Sequence, residues 1–422
     1  MRETVVIEAI GHRGDGIVTT PDGPLYVPFV LPGERVAIER SGQRGRVVEV
    51  LEPSAERVQP VCRHFGTCGG CALQMMPLGA TRRLKREFVV AALAQRGLSP
   101  PVDETIGVRP ASRRRVVLTA LLAGERTLLG YHERLSHRLV DIEKCPVLEP
   151  QLAAALPNLR NLAASLLNSR RATRLTVLLT RGGLDVDAAD GAVPPANRLP
   201  EIANLCTAAG VARLSVDSEP LLKLAEPVIE IAGVPLVPPP GAFVQASAEA
   251  EAAMTGLVAA HLSGAKSTAD LFAGFGTFSL ALAREMRVHA VESNEDAPAA
   301  LMLATRQARG LKPITAERRD LFASPLTPTE LDRFDAVVLD PPYAGAKAQA
   351  EALAQSRVGR IASVSRKSGD LCAGRADIGQ RWLPPRTRRA RRSIRLLGEG
   401  GGRGAVQPGL SDRVPSPLRG RG

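Results

Sequence analysis

The 422-residue chain lacks any apolar run as long as a membrane span, and its first residues, "MRETVVIEAIGHRGDG", carry no signal-peptide apolar stretch. That excludes membrane-spanning and secreted classes on this reading and predicts a cytoplasmic protein. Net charge is scarce over most of the length: residues 1–365 hold 41 Lys/Arg against 39 Asp/Glu, only +2 of the total +12. The other +10 comes from residues 366–422, with 14 basic and 4 acidic side chains, so overall charge says little about nucleic-acid binding by the rest. No GKS or GKT signature is present, which removes the usual lysine for a phosphate tail. In a cytoplasmic chain, six cysteines read as metal ligands, catalysts or buried thiols rather than disulfides.

At 44% apolar, the chain can bury a sizeable core and is expected to form two to four domains. Residues 1–55 read as a small β-barrel of five short strands separated by Gly, Pro and Asp turns, either generic or oligonucleotide-binding. Residues 56–240 hold a cysteine cluster and a helix, "TRRLKREFVVAALAQRG", with Leu84, Phe88, Ala91 and Ala92 on one face and Gly97 as its stop. Strand- and helix-like segments follow, giving a central α+β domain; Cys206 in "IANLCTAAG" reads as a buried helix thiol. From residue 241 to 365, strands and helices alternate as in an open parallel α/β sheet. Residues 366–422, with 11 glycines and no apolar period, read as disordered and basic.

Two stretches carry chemistry. In "CRHFGTCGGCALQ", Cys62, Cys68 and Cys71 have the spacing of soft-metal ligands, which suits zinc and an iron–sulfur cluster about equally. In "DLFAGFGTF", Asp270 precedes a turn at Gly274 and Gly276 that lets a ligand approach the backbone. Glu292, 22 residues on, stands where a carboxylate accepts both ribose hydroxyls, and Asp320 and Asp340 follow later segments at the same sheet edge. Each acid alone reads as a solvated loop carboxylate; the ordered set favours a nucleoside. Without a phosphate cradle, S-adenosylmethionine fits better than a dinucleotide. "DPPY", Asp340–Tyr343, adds a loop of the kind that presents a carbonyl and an acid to a flipped base.

With "GYHERLSHRLVDIEKCPVL", "GAFVQAS", "VESNEDAPAALMLA" and "LDPPYAGA" in the same order, the chain resembles the TRAM-containing, iron–sulfur bacterial 23S rRNA (uracil-5-)-methyltransferases. The resemblance implies a class I, Rossmann-like methyltransferase domain over 241–365, a TRAM-like RNA-binding barrel over 1–55 and an iron–sulfur domain over 56–240. It implies that Cys145 joins Cys62, Cys68 and Cys71 around a [4Fe–4S] cluster, zinc being the alternative. With four protein ligands, no iron is left open for radical chemistry. It places Gln245, Phe272, Gly274, Gly276, Thr277, Glu292, Asp320 and Asp340 on the cofactor; Thr277 and Asp320 stand where relatives often carry asparagine, and Tyr343 where they carry arginine. The implied partner is RNA, most plausibly 23S ribosomal RNA, with no membrane and a monomeric chain.

One part of the pattern is missing. The family methylates C5 of uracil through a cysteine in a Ser-Cys-Asn-Pro loop; here Ser365 is followed by Arg366, so no catalytic residue is assigned. Cys372 lies in no matching context, and Glu399, the tail's only Glu, does not match the family's base. Resemblance, charge balance and periodicity all end at one point, which a reading-frame shift explains and a point substitution does not; a natural basic RNA-binding tail is the second reading. Function therefore divides three ways: a uracil-5 methyltransferase missing its nucleophile, a non-catalytic RNA-binding relative, or an amino-group base methyltransferase using "DPPY".

Overall fold

The structure is a computed structural model that describes residues 2–134, 136–167, 171–342 and 344–365. Tyr343, Arg366, Cys372 and Glu399, together with the expectations resting on them and on residues 366–422, lie outside the described residues.

Six strands form the first sheet: β1 (Arg2–Val6), β2 (Ala9–Ile10), β3 (Asp15–Thr20), β4 (Gly23–Pro28), β5 (Arg35–Ser41) and β6 (Arg44–Glu52), in the order β1-β5-β6-β4-β3-β2. Five were expected. The first run, "TVVIEAIG", divides at Ile7, whose N–H donates to Glu34 O and whose side chain turns into the core. The two ends of the order are thus successive pieces of one segment, and they enclose Ile7, Val18, Leu25, Val27, Val30, Val36 and Ile38. Gly16 is required here, since a Cβ would lie 2.4 Å from Val30 and 2.9 Å from Ile7. Glu34, fully buried, is held by Arg57 at 2.6 and 2.8 Å and by the N–H groups of Leu31 and Ser54.

Helix α1 spans Leu78–Ala94, and Gly97 adopts the left-handed conformation just beyond it. Its buried residues are Ala80, Val89 and Leu93. Leu84 and Phe88 pack toward Met75 and Met76, and Ala92 toward Val89, but Ala91 is exposed, because the helix serves two small clusters rather than one face.

The second sheet comprises β7 (Arg115–Ala123), β8 (Arg126–His132), β9 (Leu139–Asp141), β10 (Thr173–Thr180), β11 (Gly183–Ala189), β12 (Val211–Val216) and β13 (Glu219–Lys223), ordered β13-β12-β11-β10-β7-β8-β9. Helices α2 (Pro150–Ala154), α3 (Leu156–Leu166) and α4 (Leu199–Ala209) supply the rest of its core; Cys206 is buried in α4. β14 (Ile229–Ile231) and β15 (Val234–Leu236) form a hairpin that packs on the core of the third sheet, ahead of residue 241.

That third sheet is wholly parallel: β16 (Ser267–Leu271), β17 (Arg287–Glu292), β18 (Ile314–Arg318), β19 (Ala336–Leu339) and β20 (Arg360–Ser363), ordered β18-β17-β16-β19-β20. Alternation along β19 explains its two cores. Ala336 and Val338 meet α5 (Ala248–Leu262), α6 (Thr277–Leu282) and α7 (Asp296–Gln307), whereas Val337 and Leu339 meet α8 (Pro328–Leu331) and α9 (Lys347–Gln355). Strands buried on both faces read as continuous apolar runs, which is why "AVVL" is buried throughout. Among the described helices, none is long and apolar enough to cross a membrane.

Candidate active site and cysteine cavity

The chain leaves β16 outward to β17 and β18, then returns to β19 on the other side, so strand order reverses between β16 and β19. In open α/β sheets the crevice beyond the strand ends at such a point is where ligands bind. Asp270 and the glycine turn stand on one side of this crevice and Asp340 on the other; the Asp340 N–H donates to Leu271 O at 3.3 Å.

The turn from β16 to α6 is tightly specified. Phe272, Gly274 and Gly276 all have positive φ, at 61°, 54° and 95°. A Cβ on Gly276 would lie 2.5 Å from Leu301, so glycine is needed there for helix packing as well as conformation. The Gly274 N–H donates to Glu292 Oε2 at 2.9 Å, tying the turn to the end of β17. Glu292 Oε1 accepts from Ser293 N, Ser293 Oγ and Asn294 N, so the carboxylate is locked before any ligand arrives. Asp320, after β18, accepts from Phe322 N at 2.8 Å, and the exposed Phe322 ring lies 5.4 Å from that of Phe272. Thr277, half-buried, opens α6.

Beneath the turn, Asp270 is fully buried. Its Oδ2 accepts from Ser279 Oγ at 2.6 Å, and among the described residues its Oδ1 has no partner. Burial raises its pKa to about 7 against the Ser279 hydrogen bond, with the Asp340 and Glu292 charges adding to the rise. The edge thus gathers Phe272, Gly274, Gly276, Thr277, Glu292, Asp320 and Asp340, with Asp270 below them. Gln245 belongs to a different set of contacts: it is buried just ahead of α5, and its carbonyl accepts from Arg114 Nε at 3.2 Å.

Cys62, Cys68, Cys71 and Cys145 line one cavity of about 60 Å³, together with His64, Tyr131, Arg113 and Arg115. The segment Cys62–Cys71 folds as turns against β8. His64 O accepts from Thr67 N and Cys68 N, and Gly69 N donates to His132 O at 3.0 Å. A Cβ on Gly69 would meet that same His132 O at 2.7 Å, which accounts for the first glycine of "CGGC". Gly70 N donates to Cys68 Sγ at 3.4 Å. Burial pushes the Cys68, Cys71 and Cys145 thiols up, Cys145 to about 11, and the neighbouring cysteines add to each shift. Yet among the described residues no group of three or more His, Cys, Asp or Glu is placed to hold a metal ion. The expected four-cysteine ligand set therefore shares a cavity without forming a metal-ion site.

Two residues with site character carry no sequence signal that marked them. His64 presents a buried Nε2 without a partner among the described residues, in the cysteine cavity. Phe322 is a large apolar ring more than half exposed beside the glycine turn; its position two residues after Asp320 was the available hint.

A switch point edged by a glycine turn and by carboxylates is the arrangement of class I methyltransferase folds. The same fold over nearly the whole length occurs in the tRNA (uracil-54, C5)-methyltransferase of Pyrococcus abyssi, solved with S-adenosyl-L-homocysteine: TM-score 0.68 at 20% identity, covering 87% of this chain and 91% of that one. Residues 248–360 match the family model described as conserved hypothetical protein 95. An uncharacterized RNA methyltransferase of Agrobacterium fabrum is 45% identical over 371 residues, covering 86% of this chain and 89% of its own. The 23S rRNA (uracil(1939)-C(5))-methyltransferase RlmD of Chromohalobacter salexigens is 34% identical over 382 residues, covering 85% and 79%. This chain belongs to that family of RNA methyltransferases.

Proposed function

We propose that the site is built for transfer of a methyl group from S-adenosylmethionine to C5 of a uridine in 23S ribosomal RNA, and that the chain as written lacks the residue that makes C5 reactive. The observation that carries the first half is the Gly274–Glu292 bond at the switch point, with Asp270 below and Asp340 opposite. A locked carboxylate suits ribose hydroxyls, and a ring of acids suits a ligand with an ammonium and a sulfonium rather than phosphates. When bound, the cofactor supplies an electrophilic methyl group. Glu292 would hold its ribose, the Phe272–Phe322 pair, in contact with each other, would border its adenine on one side, and Asp320 and Gln245 would complete its surroundings.

C5 of uracil is a poor nucleophile. The family's thiolate adds to C6, the resulting enolate takes the methyl group, a base removes the C5 proton, and elimination returns the thiol. Arg366 cannot replace that thiolate, because its guanidinium stays protonated. A shift of reading frame after Ser365 remains our account. The relatives cover 86% of this chain and leave out a share about the size of residues 366–422, which fits a frame shift and an added basic tail alike.

For the cysteine cavity, which all four thiols line, a four-cysteine donor set suits zinc and a [4Fe–4S] cluster alike, and the family resemblance favours the cluster. The orphan His64 Nε2 gains a partner if sulfur fills the cavity. Cys62, Cys68, Cys71 and Cys145 would hold the cluster and, with the small first sheet read as a TRAM-like barrel, help seat RNA.

Two versions of the chain test the proposal: the one given, and one whose residues after Ser365 come from the alternate frame, if that frame encodes Ser-Cys-Asn-Pro. Both are incubated with labelled cofactor and unmodified ribosomal RNA. We expect 5-methyluridine from the second alone. Label at C5 from the chain as given sinks the inactivity claim, and N6-methyladenine from either shows an amino-group enzyme acting through the Asp340 loop.

A further inference from the structure

We propose that Arg114 is the positioning residue for Gln245, clamping residues 242–246 against the second sheet; the consequence for cofactor binding rests on the reading of Gln245 given above. Residues Arg113, Arg114 and Arg115 lead into β7, where side chains alternate sides. Arg113 and Arg115 line the cysteine cavity. Arg114 is buried instead between the segment before α5 and α5 itself. Its main-chain N–H donates to Ala246 O at 2.8 Å, its Nε to Gln245 O at 3.2 Å, and its Nη2 to Glu251 Oε2 at 2.9 Å. Arg115 adds a bond from Nε to Ala242 O at 3.2 Å, and its guanidinium lies 5.2 Å from the centre of the Phe243 ring. Three carbonyls in a five-residue segment are thus held by two successive arginines.

The chemistry argues for orientation rather than stability. Glu251 is nearly fully buried, and burial raises its pKa even against the neighbouring Arg114. Buried ion pairs of this kind are often no more stabilising than apolar residues of similar volume. What an apolar pair could not do is reach the Gln245 carbonyl. A lysine could not do it either: one ammonium lacks the fork that serves Gln245 O and Glu251 together. Arg113 N also donates to Val147 O, in the turn that carries Cys145, so the clamp is built on the wall of the cysteine cavity.

The test uses the full chain and S-adenosylhomocysteine as probe, with the double variant Arg114→Met/Glu251→Leu and the single variant Arg114→Lys. The double variant removes the charge pair together with its cost, so it should keep its unfolding midpoint while losing the guanidinium bond to Gln245 O. We expect about tenfold weaker binding by calorimetry in both, with faster hydrogen exchange of the amides in residues 242–246. Exchange that stays as slow as in the parent chain overturns the clamp, and Arg114→Lys decides should the double variant unfold. Gln245→Ala separates the two readings. If it leaves binding unchanged, Gln245 does not touch the cofactor, and exchange alone still judges Arg114.

Discussion

The sheet edge and the cysteine cavity solve opposite problems. At the edge, Glu292 already accepts four hydrogen bonds and the glycine turn is fastened to it, so the site stands complete without its ligand. In the cavity, burial keeps the thiols protonated, and a buried histidine nitrogen has no partner among the described residues, a cost that stands until something fills the cavity. The first site is supported by a regular parallel sheet. The second is assembled from turns and one distant cysteine, 74 residues beyond Cys71. One therefore expects the edge to tolerate loss of its ligand and the cavity not to.

The largest effect should follow from breaking the cavity. Cys145→Ser should abolish the brown colour of anaerobically purified protein and lower the unfolding midpoint, as loss of a partner held at a thousandfold its Kd costs about 4 kcal/mol. S-adenosylhomocysteine affinity should stay within about threefold if the two sites are independent. A larger loss of affinity dissolves the contrast and means the cavity wall governs Gln245. A colourless parent protein with one zinc ion instead replaces the cluster by the alternative metal.

Asp270 gives the next effect and tests whether the edge is as self-sufficient as Glu292 makes it look. An unfolded aspartate releases its proton near pH 4, whereas the buried one holds it to about 7. Between those values the folded chain binds the extra proton. Its stabilising contribution is therefore full below pH 4 and declines as pH rises to 7. Asp270→Asn removes that slope, and its stability relative to the parent should rise by roughly 2 kcal/mol between pH 5 and 7. Thermal unfolding of both proteins across that range measures it. A constant difference between them means that Asp270 is ionised throughout, with its Oδ1 paired by a group the structure does not show.

How much of this could be read in the residues depends on how far apart the partners lie. The glycine turn, Glu292 and the parallel sheet were legible because a strand, a Gly-rich turn and a helix recur within a short stretch. The first sheet was legible as β structure but not in its count of strands, because the first segment changes partner after Ile7, whose N–H still donates to Glu34 O beside β5 while the Glu8 N–H donates to Ile17 O on β3. Ala91 was misplaced because periodicity assigns one face and α1 serves two clusters. Arg114 and Gln245 are 131 residues apart, and no local pattern connects them. His64 sits in plain view between two cysteines, but only burial of its Nε2 distinguishes it from a surface histidine.

The smallest effect is the finest test of the edge. Glu292→Gln keeps the shape of the side chain and removes its charge. Glu292 Oε1 accepts from three donors and Oε2 from Gly274 N, so an amide can satisfy only one side. The oxygen should turn to Ser293 and Asn294, which sets the amide NH₂ against the Gly274 N–H, donor facing donor. The turn should then loosen locally while the sheet beneath it, buried on both faces, keeps its packing. A ribose would also lose a charged acceptor. Together these should weaken S-adenosylhomocysteine about tenfold, near 1.4 kcal/mol, with an unfolding midpoint close to the parent's. If the variant binds as tightly as the parent, Glu292 is a structural brace of the turn and not a ribose ligand. The edge would then be self-sufficient for the plainer reason that its carboxylate exists to hold the loop.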